Sequence, residues 1–378
     1  MIAKVVSSSE VSFLSAIEEI RKKLKIEDFT DFDFAIFAVS PKYRDHYIMY
    51  TIEKVLKIPS EKYIAFHAVD SFENSKIVNN GISALFIKFE REAKIKVLPV
   101  EGVYTRNDYE DVIEFLKERK GALNLIFAGF CNQKLAFVIE DKLSKALPEK
   151  GEKTFLIGGV SSGARTYQFY NGNIIKDGFL IVSIEGVDYK SGISLGFEPV
   201  GEIYTVTRAK DYRVYEIDKS LAHQLVDRLL KGVGNYTVQD LWYFPIILLD
   251  DEEGYVSVVR TFKDISSKEF IEFFGPVKEG SKFKLSFGDP ESLISADRKE
   301  ASKIAYSMDK IELALNFSCI ARQYVLENLQ QEEIKIYSSL FNAPLFGFFT
   351  FGEIGPDKLF RKFKFYNQTS LIVALRER

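Results

Sequence analysis

The sequence has few residues of the kinds that build disulfide frameworks or metal clusters. Its 378 residues include two cysteines, Cys131 and Cys319, and three histidines, His46, His67 and His223. Two cysteines cannot form a disulfide framework, and such low use is typical of the reducing cytosol. Three scattered histidines predict no zinc cluster. Haem needs only one axial histidine, so haem stays open as a cofactor.

Long apolar runs and a strong net charge are also missing. One long stretch without a charged residue covers residues 338–352, and Asn342 and Pro344 interrupt it. A transmembrane helix needs about 20 apolar residues, and the N-terminus lacks the apolar run of a signal peptide. A net charge of −3 offers no broad basic face for phosphates. We therefore expect a cytoplasmic protein that binds neither membranes nor nucleic acid.

Aromatic residues, by contrast, are abundant, with 33 Phe and 19 Tyr against a single Trp. Hydrophobic residues make up 46% of the chain, which is enough to bury a large core. Since aromatic side chains dominate core burial, we expect most of these rings inside the protein. The length predicts two or three domains.

Three short apolar segments of strand type indicate an internal repeat. They cover residues 34–40, 124–130 and 313–319, and a helical pattern of apolar residues follows each one. A helix also precedes each segment, and the third such helix should begin with Asp289 as N-cap and Pro290 at its first position. Two more strand patterns complete each unit, at 62–68 and 80–89, at 154–160 and 177–186, and at 344–353 and 367–377.

The spacing of these segments predicts the fold class and the domains. Residues of about 190–285, between the second and third units, have a strand-rich pattern of their own. The predicted class is α/β, with mixed sheets flanked by helices and three repeated α-β-α-β-β units in two domains. The first domain, residues 1–210, would hold two units. The second, residues 211–378, would hold a β-rich insert and the third unit.

Residues 159–163, Gly-Val-Ser-Ser-Gly, match the G-x-S-x-G pattern of serine hydrolases. That pattern requires a helix after the serine, whereas Asn171 and Gly172 indicate a hairpin turn here. We interpret the segment as a glycine-rich turn that lets the backbone approach a ligand or a neighbouring strand. No catalytic residue is predicted from it.

Cys319 ends the third apolar segment, and Arg322 lies one turn into the helix predicted to follow. A helix N-terminus and an arginine both lower the pKa of a thiol, so Cys319 is a candidate nucleophile. A small buried core thiol is the alternative. If the start of this helix faces a cleft, Arg322 and the free N–H groups form a carboxylate site.

Further polar residues lie at the ends of apolar strands. The carboxylate of Glu353 would bind a ligand ammonium, or it would pair with Arg322 or Arg260 inside the protein. Asn367 and Thr369 open the last strand pattern. They would cap a turn or hydrogen-bond a ligand.

Several of these segments resemble one known family. The runs LNFSCIAR (315–322), PLFGFFTFGEIGP (344–356) and YNQTSLIVAL (366–375) resemble the C-terminal half of FIST-domain sensory proteins, and YVSVVRTF (255–262) resembles the opening of that half. Residues 155–172, 177–186 and 196–209 resemble the FIST N-terminal region. The likeness extends from about residue 30 to 378. The first unit departs from it, because AVDSFENS (68–75) replaces the glycine-rich turn common in the family.

The resemblance implies a cytoplasmic input module for signal transduction that binds a small molecule. FIST regions are commonly fused to, or encoded near, histidine kinases, chemotaxis receptors or cyclic-nucleotide enzymes. Amino acids have been proposed as their ligands, and a subset resembles haem-binding nitric-oxide sensors. The FIST-like region takes up almost all of this chain, so signalling would pass through a separate partner.

We therefore expect a non-enzymatic protein that binds an amino acid or a similar small carboxylate in a cleft between its halves. A haem-bound gas sensor and a cysteine-dependent enzyme are the alternatives. Strand ends and glycine-rich turns would contact the ligand, whose predicted binding residues are Arg322, Arg260 and Arg208 for a carboxylate, Glu353 for an ammonium, and Cys319, Ser161, Ser162, Asn367 and Thr369 for other contacts.

Overall fold

The computed structural model describes residues 1–130, 132–147, 153–232, 234–249, 256–357 and 359–378. Cys131 therefore lies outside the described residues. Strands and helices alternate along much of the chain, and the sheets are mixed, which confirms the α/β class with mixed sheets flanked by helices. None of the helices in these ranges is long and apolar enough to cross a membrane.

Three stretches of the chain share one order of elements: strand, helix, strand, helix, strand, hairpin, strand. The first contains β1 (Ile2–Ser8), α1 (Phe13–Ile26), β2 (Phe34–Val39), α2 (Asp45–Leu56), β3 (Tyr63–His67), the hairpin β4 (Asp70–Glu73) and β5 (Lys76–Asn79), and β6 (Ile82–Lys88). The second contains β7 (Lys94–Glu101), α3 (Glu110–Glu118), β8 (Leu123–Ala128), α4 (Asn132–Phe137), β9 (Phe155–Val160), the hairpin β10 (Gln168–Tyr170) and β11 (Asn173–Ile175), and β12 (Gly178–Glu185).

The third stretch is interrupted after its first strand, β13 (Val187–Ser194). The interruption forms β14 (Glu198–Lys210), β15 (Arg213–Ile217), β16 (Ser220–Leu221), α5 (His223–Leu229), β17 (Ile246–Leu249), β18 (Val256–Arg260), β19 (Phe262–Asp264), β20 (Ile271–Phe273) and β21 (Lys282–Phe287). The stretch resumes with α6 (Pro290–Tyr306), β22 (Leu313–Cys319), α7 (Ile320–Val325), α8 (Gln330–Phe341), β23 (Leu345–Thr350), the hairpin β24 (Glu353–Pro356) and β25 (Phe363–Tyr366), and β26 (Ser370–Glu377).

Local sequence explains where the helices begin. The side chain of Ser12 accepts a hydrogen bond from the Ser15 N–H and so caps α1. Asp289 caps α6 in the same way, with Pro290 as the first helical residue, as predicted. Each helix then buries an apolar stripe against its sheet, for example Ile17, Ile20 and Leu24 of α1.

The strands of these stretches form three sheets with one core order. Sheet 1 contains β1-β6-β2-β3, sheet 2 contains β7-β12-β8-β9, and sheet 3 contains β13-β26-β22-β23. In each sheet the two strands that a helix connects are parallel, and the other pairs are antiparallel. The edge strands β1, β7 and β13 are absent from the predicted α-β-α-β-β unit, so that unit stays a prediction in its details.

Each hairpin extends the sheet of another stretch. Strand β4 pairs with β23 of sheet 3, β10 pairs with β3 of sheet 1, and β24 pairs with β9 of sheet 2. The three sheets are thereby linked in a closed cycle. The interrupting segment forms a separate antiparallel sheet, the insert sheet, in the order β18-β17-β21-β14-β15-β20-β19. The boundary predicted near residue 210 falls at the end of β14.

Phenylalanines from all three sheets meet at the centre of the molecule. The ring of Phe127 in sheet 2 lies 4.8 Å from that of Phe66 in sheet 1, and 6.2 and 6.3 Å from those of Phe317 and Phe348 in sheet 3. All four side chains are buried. Part of the phenylalanine excess therefore fills one shared core.

Candidate functional site

The residues predicted to bind a ligand are not gathered in one place. Arg322 is fully buried in sheet 3 and its helices, where all three guanidinium nitrogens are hydrogen-bonded. The guanidinium pairs with Asp297 at 2.7 Å and Glu333 at 3.1 Å, and it also donates to the Leu195 carbonyl at 2.7 Å. The carboxylates that pair with Arg322 therefore belong to the protein itself and not to a ligand.

The other two arginines lie elsewhere. Arg260 joins the insert sheet to sheet 2, where it donates to Glu140 Oε1 at 3.1 Å and to the Phe365 carbonyl at 2.6 Å. It is buried, and its Nε donates to the Pro276 carbonyl. Arg208 is largely exposed on β14 and pairs with Glu216. These three arginines therefore share no common site.

Glu353 is fully buried where sheets 2 and 3 meet, and it contacts two of the predicted residues. Its Oε2 accepts hydrogen bonds from the hydroxyl of Thr369 at 2.6 Å and from the Thr369 N–H at 3.2 Å. Its Oε1 is hydrogen-bonded to the Thr350 hydroxyl, and the Cys319 thiol is a further partner. The described residues place no cation within ion-pair distance of this carboxyl.

The hydrogen bonds of Thr350 favour a protonated Glu353. The single hydroxyl proton of Thr350 is shared between the Ser318 carbonyl, at 3.1 Å, and Glu353 Oε1. A protonated Glu353 donates to Thr350, which is then free to donate to Ser318, so every group is satisfied. In accord with this geometry, burial raises the pKa of Glu353 to about 8, although the threonine hydrogen bonds act in the opposite direction.

This protonation makes the stability of the fold depend on pH. Between the ordinary pKa of a glutamic acid, 4.5, and about 8, the folded chain keeps a proton that the unfolded chain releases. The free energy of unfolding should therefore fall as pH rises through that window. Glu353→Gln keeps both hydrogen-bonding roles without titrating, so we expect it to remove this fall between pH 6.5 and 8, as measured by urea unfolding. An unchanged pH dependence in the variant would contradict a protonated Glu353.

The pKa of the buried Cys319 thiol is shifted in the direction opposite to the one expected. Burial and the neighbouring Glu353 raise its pKa well above the ordinary value, although nearby N–H groups act in the opposite direction. The predicted lowering of this pKa is therefore wrong, because no solvent reaches the sulfur to stabilise a thiolate. The buried core thiol is the better interpretation.

The two serines and the asparagine lie in the same buried region as Glu353. Ser161 and Ser162 follow β9, and the Ser162 hydroxyl accepts a hydrogen bond from the Val69 N–H at 3.2 Å. This contact ties sheet 2 to sheet 1. Asn367 is buried as well, and its Oδ1 has no hydrogen-bond partner among the described residues. Ser162 thus has a structural role that needs no ligand.

Two of the three histidines make contacts inside the protein, and one is exposed. His67 is buried, with Nδ1 accepting from the Tyr167 N–H at 3.2 Å and Nε2 lying 3.1 Å from Asp45. Burial lowers its pKa to about 4, so the ring is neutral. His223 places its ring nitrogens 3.1 Å from the Ile265 carbonyl and 3.2 Å from Asp227. His46 is exposed on α2. In the described ranges, moreover, no three His, Cys, Asp or Glu residues are grouped to hold a metal ion.

An open cleft lies at the opposite, amino-terminal ends of the strands, between sheets 2 and 3. We call it cleft 1. Its volume is about 680 Å³, within the range of small-molecule sites. It is lined by the starts of two strands in sheet 2 (Gly121, Lys153, Phe155), by residues 188–191 of β13, by the turn 307–309, and by Phe360, Arg376 and Arg378.

The floor of cleft 1 is aromatic. The ring of Phe155 lies 4.9 Å from that of Tyr189 and 6.4 Å from that of Phe360. Tyr189 and Phe360 are partly buried against the central core. The floor is therefore backed by tightly packed side chains, which suits it to hold a flat or apolar group.

The rim of cleft 1 carries charges of both signs. Asp188 pairs with Arg378 at 2.9 Å and with Arg376 at 3.5 Å. Lys153 and Lys190 also line the cleft, and the described residues give neither of them an ion-pair partner. Strand β13 is the outer strand of sheet 3, so one of its edges also offers N–H and C=O groups without a ladder partner. These groups suit a ligand that combines a carboxylate with a donor group.

Comparisons with known proteins agree with this architecture. The FIST N domain model matches residues 33–220, and the FIST C domain model matches residues 222–356. The chain belongs to the FIST family. An uncharacterized protein of Aquifex aeolicus (strain VF5) is 38% identical over 250 residues, which are 63% of this chain and 92% of that relative. FIST domains are in general sensory domains of signal transduction.

Cleft 1 joins both matched regions of the FIST chain. Lys153, Phe155 and Lys190 belong to the FIST N domain match, residues 307–309 belong to the FIST C domain match, and Arg376 lies beyond its end. Sequence reasoning did not single out these residues, and it missed the edge strand β13 that carries Lys190. The one available signal is a short strand pattern ahead of each repeated unit, with a lysine near its middle.

Proposed function

We propose that this FIST protein is a cytoplasmic, non-enzymatic sensor module that binds an amino acid or a similar small carboxylate in cleft 1. The observation that carries the proposal is the combination, in one cavity, of an aromatic floor with two lysines to which the described part of the chain gives no ion-pair partner. A carboxylate would pair with Lys153 and Lys190. A ligand ammonium would share Asp188 with Arg376 and Arg378, and the ligand side chain would pack on the rings of Tyr189 and Phe360.

The size and chemistry of cleft 1 favour a large side chain. Its volume of about 680 Å³ exceeds what a small amino acid fills. The partly buried rings of Tyr189 and Phe360, which Phe155 backs from the core, would give a ligand ring offset or edge-to-face contacts, each worth about 0.5–1.5 kcal/mol beyond area burial. Among the amino acids we therefore expect the aromatic ones to bind best.

The position of cleft 1 suggests how binding would be transmitted. Strand starts of sheet 2 form one wall, and β13 and the end of β26 in sheet 3 form another. A ligand that contacts both walls would favour one relative arrangement of these sheets. A separate histidine kinase, chemotaxis receptor or cyclic-nucleotide enzyme would then respond to that arrangement of the sheets.

Removal of Lys190 tests the proposal. Lys190→Ala should weaken amino acid binding at least about ten-fold, since a charge-assisted hydrogen bond contributes about 1.5–3 kcal/mol. The measurement is a thermal-shift screen of the twenty amino acids, followed by calorimetric titration of those that raise the melting temperature. Lys4→Ala is the matched control, because Lys4 also lies on an edge strand but pairs with Glu27 at 2.9 Å.

Two results would contradict the proposal. One is the absence of saturable binding for all twenty amino acids. The other is binding of equal affinity in the unaltered protein and in Lys190→Ala, which would place the ligand outside cleft 1.

A further inference from the structure

A second cleft lies between sheets 1 and 2, and we call it cleft 2. Its volume is about 610 Å³. It is lined on one side by residues at the starts of β2 and β3, including Phe34 and Lys62, and on the other by Ile95, Lys96 and Val97 of β7. Nothing in the resemblance or in the proposed function assigns it a role.

Cleft 2 has the same place in the fold as cleft 1. Each cleft is bounded by the starts of the two parallel strands of one sheet and by the outer strand of the next sheet. Each also includes one aromatic residue of an exchanged hairpin: Tyr170 in cleft 2, and Phe360 in cleft 1. The two cavities are therefore counterparts in the cycle of three sheets.

The strand registers make the correspondence residue by residue. Lys190 of β13 is opposite Ala374 of β26, which is opposite Ala314, the second residue of β22. Lys96 of β7 is opposite Ser183, which is opposite Asn124, the second residue of β8. Each cleft therefore has a lysine at the equivalent position of its outer strand.

The outer strand of sheet 1, β1, has a lysine at the equivalent position, but this lysine is part of an ion pair. Lys4 of β1 is opposite Phe86, which is opposite Ala35, the second residue of β2. Lys4 pairs with Glu27, whereas the described residues give Lys96, like Lys190, no ion-pair partner. Among the described residues, the lysines of the two clefts are therefore available to a ligand, whereas Lys4 is held in an ion pair.

The interior of cleft 2 also matches that of cleft 1. Phe89, Ile95 and Tyr170 are partly buried against the central core, as Tyr189 and Phe360 are in cleft 1. Arg91 and Lys96 supply positive charge, and Asp33 and Glu61 supply negative charge. An apolar floor with cations and carboxylates at the rim fits the same chemical class of ligand.

We propose that cleft 2 is a second binding site for an aromatic amino acid, so that one chain binds two ligand molecules. The inference rests on the proposed function, since it extends the same ligand class to the counterpart cavity. A lysine on an edge strand also prevents unwanted strand pairing. That role alone would leave ligand binding independent of Lys96.

Calorimetric titration of the full chain with L-phenylalanine tests the proposal, using Lys96→Ala, Lys190→Ala and the control Lys4→Ala. We expect two molecules per chain in the unaltered protein and in the control. Each cleft variant should keep one site and weaken the other at least ten-fold.

The other outcomes separate the two proposals. One site per chain that weakens in Lys190→Ala but not in Lys96→Ala would overturn cleft 2 and leave the proposed function intact. One site that weakens only in Lys96→Ala would support cleft 2 and overturn the assignment of cleft 1. A protein that binds no L-phenylalanine would overturn cleft 2 as an aromatic amino acid site, while the screen with all twenty amino acids would still decide the proposed function.

Discussion

Replacing Arg322 with alanine is expected to lower the free energy of unfolding by about 3–5 kcal/mol, because removal of one partner from a buried ion pair leaves the other charge uncompensated. Here two carboxylates would lose their partner. Asp297 lies 2.7 Å and Glu333 3.1 Å from the guanidinium, and all three side chains are fully buried. Equilibrium unfolding in urea, followed by circular dichroism, measures the loss.

The partners of Arg322 explain why the loss should be large. Even with the arginine in place, burial raises the pKa of Asp297 to about 6, which shows how little solvent compensates its charge. The hydroxyl of Tyr337 donates to Asp297 at 2.9 Å but carries no charge to replace the guanidinium. Without Arg322, Asp297 would have to take up a proton or remain as a buried, unpaired anion.

Arg208→Ala provides the matched control. Arg208 also pairs with a glutamate, Glu216, at 3.0 Å, but more than half of its side chain is exposed. Exposed pairs contribute about 0–1 kcal/mol. If Arg322→Ala cost no more than Arg208→Ala, the buried network would not stabilise sheet 3 and its helices as described.

Replacing Phe127 with alanine should be comparably destabilising, by about 3–5 kcal/mol, because it opens a cavity in a closely packed core. The ring of Phe127 contacts Phe66 of sheet 1 and Phe317 and Phe348 of sheet 3. Thermal unfolding followed by both circular dichroism and tyrosine fluorescence measures the effect. Since one ring contacts all three sheets, both signals should shift to lower temperature together.

The control for this prediction is Phe287→Ala, since the Phe287 side chain is 42% exposed and lies on the insert sheet. Surface substitutions of this kind usually change stability by less than about 0.5 kcal/mol. Two separate transitions in Phe127→Ala would show that the three sheets do not unfold as one unit.

Much of the fold could be predicted from local patterns. The apolar segments at 34–40, 124–130 and 313–319 became β2, β8 and β22, because strands buried on both faces are continuously apolar. The outer strands β1, β7 and β13 were missed because none of them is a continuous apolar run: Lys4, Lys96 and Lys190 interrupt their patterns. The exchange of hairpins was beyond prediction, since it depends on pairings between distant segments, such as Ser71 with Phe348.

The candidate site could be predicted less well, for a related reason. Polar residues at strand ends do lie close together, as Glu353 and Thr369 show. Their availability to a ligand, however, depends on partners that sequence spacing does not reveal. Arg322 donates a hydrogen bond to the Leu195 carbonyl, and Arg260 donates one to Glu140, so these guanidinium groups are already bound within the protein. Cleft 1 arises only where sheets 2 and 3 meet, so no single motif marks it.

The closed cycle of hairpins has a consequence for how this chain is made. When β4 and β5 leave the ribosome, the strand they must join, β23, has not yet been synthesised. The hairpin therefore keeps an unpaired edge until residues 345–350 have been synthesised. Such late, long-range pairing is slow and exposes the nascent chain to aggregation. The synthesis of β23 thus determines when β4 and β5 can complete their folding.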